Sequence, residues 1–226
     1  MCAQQRIALY GGTFDPVHLG HLEVALRVSQ LFEIEKVLFI PAQRAPHKVG
    51  RPVSDPIHRY AMLALATQDE PALQISTFEL ESPGRSYTVD TVEHFQRMLS
   101  ASAELLFIMG ADSWSEITTW REWERLLTII NHVVVTRPGY ETSTTQVAPL
   151  AERIVDLRKG SGVGEAAGRN IFFTDVVMKE VSATDIRRLA GENRFDELQE
   201  FLPLAVLEYI RKYEIYRELN EARLNS

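Results

Sequence analysis

The chain has 226 residues, enough for one domain or for one domain with a small appendage. Hydrophobic residues make up 45% and charged residues 24% of the sequence, as in globular proteins with a sizeable core. The formal net charge of −7 argues against a nucleic-acid partner, because duplex binding uses a basic surface. The single cysteine, Cys2, excludes an intrachain disulfide or a cysteine-rich metal site. No segment resembles a signal peptide or approaches the roughly 20 apolar residues of a membrane span, so we expect a cytoplasmic protein without a membrane partner.

Strand-like and helix-like stretches alternate along the chain. Short apolar runs predict strands at Arg6–Tyr10, Lys36–Pro41, Leu73–Leu80, Glu104–Met109, His132–Thr136 and Ile171–Thr174. Apolar residues at helical spacing predict helices at Leu19–Phe32, Ile57–Thr67, Thr88–Leu99, Leu150–Leu157, Thr184–Ala190 and Leu204–Leu219. This order predicts an α/β fold, a Rossmann-like doubly wound parallel sheet with a small helical C-terminal part. We expect a single domain over residues 1–226, with a core over 1–180 and a helical subdomain over 181–226.

The segment Gly11–His21 follows the first predicted strand, at the sheet edge where open α/β sheets bind ligands. Its paired glycines would let the backbone approach a phosphate closely. His18 and His21 lie three residues apart at a predicted helix start and therefore share one face, with Gly20 between them. Two imidazoles on one face can donate hydrogen bonds to phosphate oxygens. An ordinary tight turn, a metal site and surface histidines are the alternative interpretations.

The sequence GGTFDPVHLGH resembles the signature of the nucleotidyltransferase superfamily that carries the His-x-Gly-His motif. The resemblance implies direct, in-line attack of an acceptor phosphate on the α-phosphorus of a nucleoside triphosphate, with pyrophosphate leaving. It also implies that His18 and His21 are catalytic, and we expect His21 to have the larger effect. The triphosphate would be bound by Gly11, Gly12, Thr13, Phe14, His18, Gly20 and His21.

A second motif, Ser182–Arg187 (SATDIR), opens a predicted helix far downstream. Ser182 or Thr184 can cap this helix, and Arg187 in its first turn can hold phosphate oxygens with its forked guanidinium. By itself the segment is typical of an ordinary capped helix. It resembles the Ser-x-x-x-Ile-Arg element with which adenylyltransferases of the superfamily bind ATP, and it departs from the Ser-Thr-Thr form usual in cytidylyltransferases. The resemblance implies ATP as the donor, bound by Ser182, Thr184, Ile186 and Arg187.

The middle of the chain carries motifs that point to the acceptor. An acidic residue after a strand, as in GADSW at Gly110–Trp114, can accept ribose hydroxyls, and Trp120 offers a stacking surface for a flat ring. Together with APHK, RSYTVDT, TWREW and RPG, this block resembles bacterial nicotinate mononucleotide adenylyltransferases, although Ala45 replaces the usual first proline of Pro-Pro-His-Lys. The resemblance implies that nicotinate mononucleotide contacts Lys48, Tyr87, Thr88, Asp112, Trp120 and Arg137.

The resemblance as a whole implies transfer of AMP from ATP to nicotinate mononucleotide in NAD biosynthesis. Mg²⁺ would arrive on ATP rather than in a metal site of the protein. Three alternatives stay open: nicotinamide mononucleotide or phosphopantetheine as the acceptor, and a nucleotide-binding regulator without chemistry. Homo-oligomer formation is also open. Within the polar stretch Gly139–Asn170, the glycines at 160, 162, 164 and 168 are expected to lie in a surface loop.

Overall fold

The computed structural model describes residues 5–43, 53–82, 84, 86–100, 102–136, 143–160, 162–163, 168–176 and 181–217. Within them, seven strands form one sheet in the order β3-β2-β1-β4-β5-β7-β6. Every neighbouring pair is parallel. The strands are β1 (Arg6–Gly12), β2 (Lys36–Pro41), β3 (Leu73–Ile75), β4 (Glu104–Gly110), β5 (Asn131–Val135), β6 (Ile154–Asp156) and β7 (Ile171–Thr174). The predicted α/β, Rossmann-like fold is confirmed.

The central strands β1 and β4 are apolar between their first residue and their final glycines, because helices cover both faces of the sheet. Successive side chains of a strand point to opposite faces, and β1 divides accordingly. Ala8 and Tyr10 join one buried cluster, whereas Ile7 and Leu9 join the other. The sheet therefore separates two hydrophobic cores.

The α-helices of the described residues are α1 (Leu19–Phe32), α2 (Pro56–Thr67), α3 (Phe78–Glu81), α4 (Thr88–Met98), α5 (Ala111–Ser115), α6 (Trp123–Ile129), α7 (Ala183–Gly191) and α8 (Leu204–Lys212). Short 3₁₀ helices occupy Ile117–Thr119, Thr145–Arg153, Leu157–Lys159 and Phe195–Leu198. The predicted start of α2 has its cap at Asp55, whose carboxylate accepts the Ile57 N–H at 2.8 Å. None of the described helices is long and apolar enough to cross a membrane.

Two predicted elements are wrong, one in its extent and one in its type. The run Leu73–Leu80 is a strand only as far as Ile75, because the Ser76 hydroxyl accepts the Phe78 N–H and the chain then turns into α3. The predicted helix at Leu150–Leu157 is instead the end of a 3₁₀ segment followed by β6, which pairs with β7 at the sheet edge. Pro149 has no N–H to offer to a regular helix in this segment. Part of the predicted helix is therefore an edge strand.

The C-terminal helices pack on the sheet rather than apart from it. Ile186, Val206 and Ile210 are buried in the same cluster as Ala8 and Tyr10. The helix predicted at Leu204–Leu219 ends at Lys212, while residues 218 and 219 lie outside the described part of the chain. Tyr213, expected to be buried, is 52% exposed.

Candidate active site

The candidate site lies where the chain changes direction in the sheet. From β1 the chain continues to β2 and β3 on one side, and it returns to β4 and β5 on the other. The carboxyl ends of β1 and β4, at Gly12 and Gly110, therefore border one crevice, which is the usual ligand position in open parallel sheets.

The paired glycines at the end of β1 are required by close packing. A Cβ on Gly11 would stand 2.9 Å from the Phe107 ring, and one on Gly12 would stand 2.7 Å from the Phe14 ring. Phe14 itself has a positive φ of 50° and packs edge-on against Tyr10 and Phe39. The buried Phe14 ring thus turns the chain sharply and leaves the backbone of Gly11–Thr13 at the crevice.

The two motif histidines form a stacked pair at the start of α1. Their ring centroids are 3.6 Å apart, and the planes differ by 24°. Nδ1 of His21 accepts the main-chain N–H of His18 at 3.3 Å, so the neutral His21 ring carries its proton on Nε2. Burial lowers the pKa of His18 to about 4, so this ring is neutral at physiological pH. The Nδ1 atom of His18 is buried, and no described residue forms a hydrogen bond with it.

The second motif meets the first across the crevice. Ser182 caps α7 by accepting the Asp185 N–H at 3.3 Å. The guanidinium of Arg187 donates to the Asp15 carbonyl at 2.6 Å and to the Thr184 hydroxyl at 3.1 Å. Ile186 is buried in the core below the helix. One arginine therefore connects two segments that lie 172 residues apart in the sequence.

Two residues that the sequence did not single out, Arg59 and Tyr216, hold the turn before His18. The Asp15 carboxylate accepts the Tyr216 hydroxyl at 2.8 Å and the Ser54 N–H at 3.2 Å. Arg59 donates to the Thr13 carbonyl at 2.9 Å. Arg59 could have been found, because it occupies a position of α2 whose helical neighbours Met62 and Leu63 are apolar and buried. Tyr216 gave no signal, since its partner is remote in sequence.

Tyr87 and Trp120, two of the residues predicted for the mononucleotide, pack on the other face of the sheet. Trp120 is half-buried against that core, with its ring 6.3 Å from the Phe107 ring, edge-on. Asp112 is exposed in the first turn of α5. Because Phe107 also packs against Gly11, it links Trp120 to the turn that follows β1.

Two residues predicted for the mononucleotide, Tyr87 and Thr88, lie at the start of α4. Tyr87 packs on the core with the Arg121 guanidinium 4.8 Å from its ring centroid. Thr88 is half-buried and is the first residue of α4 rather than its cap, because Tyr87 takes the cap position. Lys48 and Arg137 lie outside the described residues. The structure thus brings the two predicted ATP motifs into contact, and Phe107 connects Gly11 in the first of them to Trp120.

Comparisons with known proteins agree with this geometry. The family model described as cytidylyltransferase-like matches residues 9–189. A protein of Thermoanaerobacter sp. named "Probable nicotinate-nucleotide adenylyltransferase" is 40% identical over 217 residues, which is 96% of each chain. A protein of the same name from Thermus thermophilus is 39% identical over 94% of this chain and 100% of the relative.

Solved structures extend the match to the fold. The Plasmodium falciparum nicotinic acid mononucleotide adenylyltransferase in complex with NaAD superposes with a TM-score of 0.70 at 18% identity, covering 94% of this chain and 98% of the other. The chain therefore belongs to the cytidylyltransferase-like family, and within that family to the nicotinate-nucleotide adenylyltransferases.

Proposed function

We propose that the protein transfers AMP from ATP to nicotinate mononucleotide, forming nicotinate adenine dinucleotide and pyrophosphate in NAD biosynthesis. The observation that carries the proposal is the contact between the two ATP motifs, in which Arg187 donates to the Asp15 carbonyl at 2.6 Å. This contact joins Arg187 to the turn that precedes His18. The full-length relatives bear the same enzymatic name.

The chemistry needs positioning and charge stabilisation rather than a nucleophilic side chain. A phosphate oxygen of the mononucleotide attacks the α-phosphorus, and the bond to the bridging oxygen of the β-phosphate breaks, so pyrophosphate leaves with the electron pair. The Nε2–H of His21 and an N–H of neutral His18 would donate to phosphate oxygens that gain charge in the transition state. Arg187 would bind the far phosphates with the guanidinium N–H groups that point away from Asp15 and Thr184.

Further contacts to ATP would come from the backbone and hydroxyls around the crevice. Gly11, Gly12 and Thr13 follow β1, and Ser182 begins α7, where helical N–H groups favour negative charge. Three further residues would support ATP binding indirectly. Gly20 leaves room for the His18 ring, Phe14 turns the chain, and Ile186 anchors α7 in the core.

Mg²⁺ enters this proposal as the ion carried by ATP. The described residues contain no group of three His, Cys, Asp or Glu side chains placed to hold a metal ion by themselves. The crevice instead presents imidazole and guanidinium groups, which suit phosphate oxygens. When bound, the ion would neutralise charge on the β- and γ-phosphates and on the leaving pyrophosphate.

For the acceptor, Trp120 is the proposed stacking surface for the nicotinate ring, and Asp112 the proposed acceptor of ribose hydroxyls. Thr88 and Tyr87, at the start of α4, lie on the same side of the sheet. Lys48 and Arg137 stay predictions for binding the mononucleotide. A cytoplasmic location and the absence of nucleic-acid partners also stay predictions, and homo-oligomer formation stays open.

A substrate panel tests the proposal. Purified protein with Mg²⁺ is mixed with ATP or CTP and with nicotinate mononucleotide, nicotinamide mononucleotide or phosphopantetheine, and pyrophosphate release is followed. We expect the highest kcat/KM with ATP and the nicotinate compound. Equal rates with both mononucleotides would contradict the acid preference, and no release with any pair would contradict the enzymatic function itself.

A further inference from the structure

The strongest feature outside the family motifs is the buried arginine of α2. Arg59 is fully shielded from solvent and is among the largest such side chains in the described residues. The other buried residues of α2 are Met62, Leu63 and Thr67. An arginine at this position requires an explanation, because removing a guanidinium from water is costly unless its donors and its charge are matched.

The donors of Arg59 reach three separate segments of the main chain. Nη1 donates to the Thr13 carbonyl at 2.9 Å, Nη2 to the Gln43 carbonyl at 3.2 Å, and Nε to the Ser54 carbonyl at 3.0 Å. Thr13 lies in the turn after β1, Gln43 shortly after β2, and Ser54 before α2. One rigid fork thus fixes the relative positions of all three segments.

The same turn offsets part of the cost of burying Arg59. Burial lowers the pKa of Arg59, and the nearby Asp15 carboxylate opposes this by favouring the charged guanidinium. The same carboxylate accepts the Ser54 N–H at 3.2 Å. The Thr13–Phe14 peptide is planar and trans, so its N–H points opposite to its C=O. Because the Thr13 carbonyl is directed at Arg59, the Phe14 N–H is directed away from it. Arg59 therefore sets the orientation of a backbone donor in the triphosphate turn.

We propose that Arg59 is a positioning residue for adenylyl transfer, which holds the Thr13–Asp15 turn in its reactive arrangement before the substrates bind. This inference rests on the proposed function. Arg59 touches no substrate atom in this scheme and acts through the Thr13 carbonyl. An apolar side chain of similar size would fill the same space but would leave three main-chain carbonyls without their donor.

The test compares Arg59→Lys and Arg59→Met with the same two changes at Arg6. Arg6 is a matched control, because its guanidinium donates to the Phe32 carbonyl at 3.0 Å and to the Glu104 carboxylate at 2.9 Å. It lies at the amino end of β1, whereas the crevice lies at the carboxyl end. For each variant, kcat, the KM of each substrate, the Kd of α,β-methylene-ATP by calorimetry and the melting temperature are measured.

We expect Arg59→Met to lose about 100-fold in kcat, the effect of a small misplacement in a catalytic site, with the KM of the mononucleotide changed less than about threefold. Arg59→Lys keeps the charge without the fork and should recover part of the loss. The Arg6 variants should lower only the melting temperature. A folded Arg59→Met with kcat within about threefold of the unaltered protein would overturn the proposal; so would an equal loss in Arg6→Met.

Two further results keep the outcome interpretable. If Arg59→Met does not fold, Arg59→Lys decides, and normal kcat in that folded variant would overturn the need for the fork. If the unaltered protein releases no pyrophosphate, the proposed function has failed. The Arg59 inference is then judged by α,β-methylene-ATP binding, which must weaken in the Arg59 variants and not in the Arg6 variants.

Discussion

At the scale of single residues, the two motif histidines differ in their surroundings. His21 accepts a main-chain N–H at Nδ1 and so presents Nε2–H, whereas burial holds the pKa of His18 at about 4. The position of the His21 proton is therefore fixed by the helix start itself. His18 depends on stacking and on the space around its ring.

The first prediction concerns His21→Ala. We expect kcat to fall about 100- to 1,000-fold, the usual cost of removing one donor to a developing oxyanion, with folding intact. In His18→Ala we expect a smaller fall in kcat, because stacking orients the His18 ring, whereas a hydrogen bond fixes the His21 ring and its proton. His94→Ala is the control, since this ring stacks on Phe78 on α3, 3.9 Å away. Near-normal turnover in His21→Ala would refute the catalytic assignment.

Gly20 gives a prediction in which stability and activity change in opposite directions. A Cβ at this buried position of α1 would lie 3.2 Å from Nδ1 of His18 and 3.5 Å from Cβ of Val181. Gly20→Ala should gain up to about 1 kcal/mol of helix propensity, less the cost of the tight contact. It should nevertheless lose about tenfold or more in kcat, because the His18 ring must move. Thermal unfolding and pyrophosphate release on the same sample separate the two effects; unchanged kcat would show that the ring has room.

At the scale of elements, the motifs could be predicted because each sits in a local pattern. The start of α1 at Leu19, the Asp55 cap and the bounds of β2 all follow from residues within one turn of the boundary. The β1 crevice follows in the same way, because a strand ending in two glycines is read from adjacent residues.

The error at Leu150–Leu157 has the opposite origin. Ile154–Asp156 becomes a strand only because Ile171–Phe173 on β7 offers a pairing edge, which no local window contains. Arg59 and Tyr216 likewise act through partners 46 and 201 residues away. The family resemblance supplied the acceptor residues, but the link through Phe107 required the coordinates.

The cap of α7 provides a prediction at this scale. Ser182→Ala removes the acceptor for the Asp185 N–H and should cost about 1 kcal/mol of stability. Ser182→Asp restores a capping oxygen and should restore stability. The added carboxylate would repel the triphosphate, so we expect the KM of ATP to rise in Ser182→Asp while the KM of the mononucleotide is unchanged. If ATP binding tightens or stays the same, Ser182 does not adjoin the phosphates.

At the scale of the whole molecule, the fold buries histidines that must stay neutral. His132 on β5 is fully buried beside Phe107, and its ring nitrogens form no hydrogen bond with any described residue. Burial lowers the pKa of His132 to about 3, and that of His18 to about 4. In the unfolded chain both rings titrate near pH 6.5, as the reference value requires. The unfolded state therefore binds more protons than the folded state below that pH.

The sign of the pH dependence follows from this difference. With respect to these two histidines, the free energy of unfolding is at its full value above pH 6.5. It declines as the pH falls toward the folded pKa values, by on the order of 1 kcal/mol per pH unit for each histidine. Carboxylates whose pKa is lowered in the fold, such as Asp156 and Glu197, lose their contribution to stability at lower pH. They therefore add little to the pH dependence of stability between pH 5 and 6.5. Glu79, whose pKa is raised by burial, acts in the opposite direction.

His132→Leu isolates one of these contributions. Replacing a buried, unsatisfied imidazole by an apolar side chain should leave stability at pH 7 unchanged or raise it, because no hydrogen bond is lost. In urea unfolding series from pH 7 to pH 5, we expect the variant to lose stability more slowly than the unaltered protein, by on the order of 1 kcal/mol per pH unit. Parallel curves would mean that His132 finds a proton partner inside the fold. His132 is close to the candidate site, because β5 lies next to β4, whose carboxyl end borders the crevice. An unchanged kcat in the variant would show that the buried ring serves neither substrate.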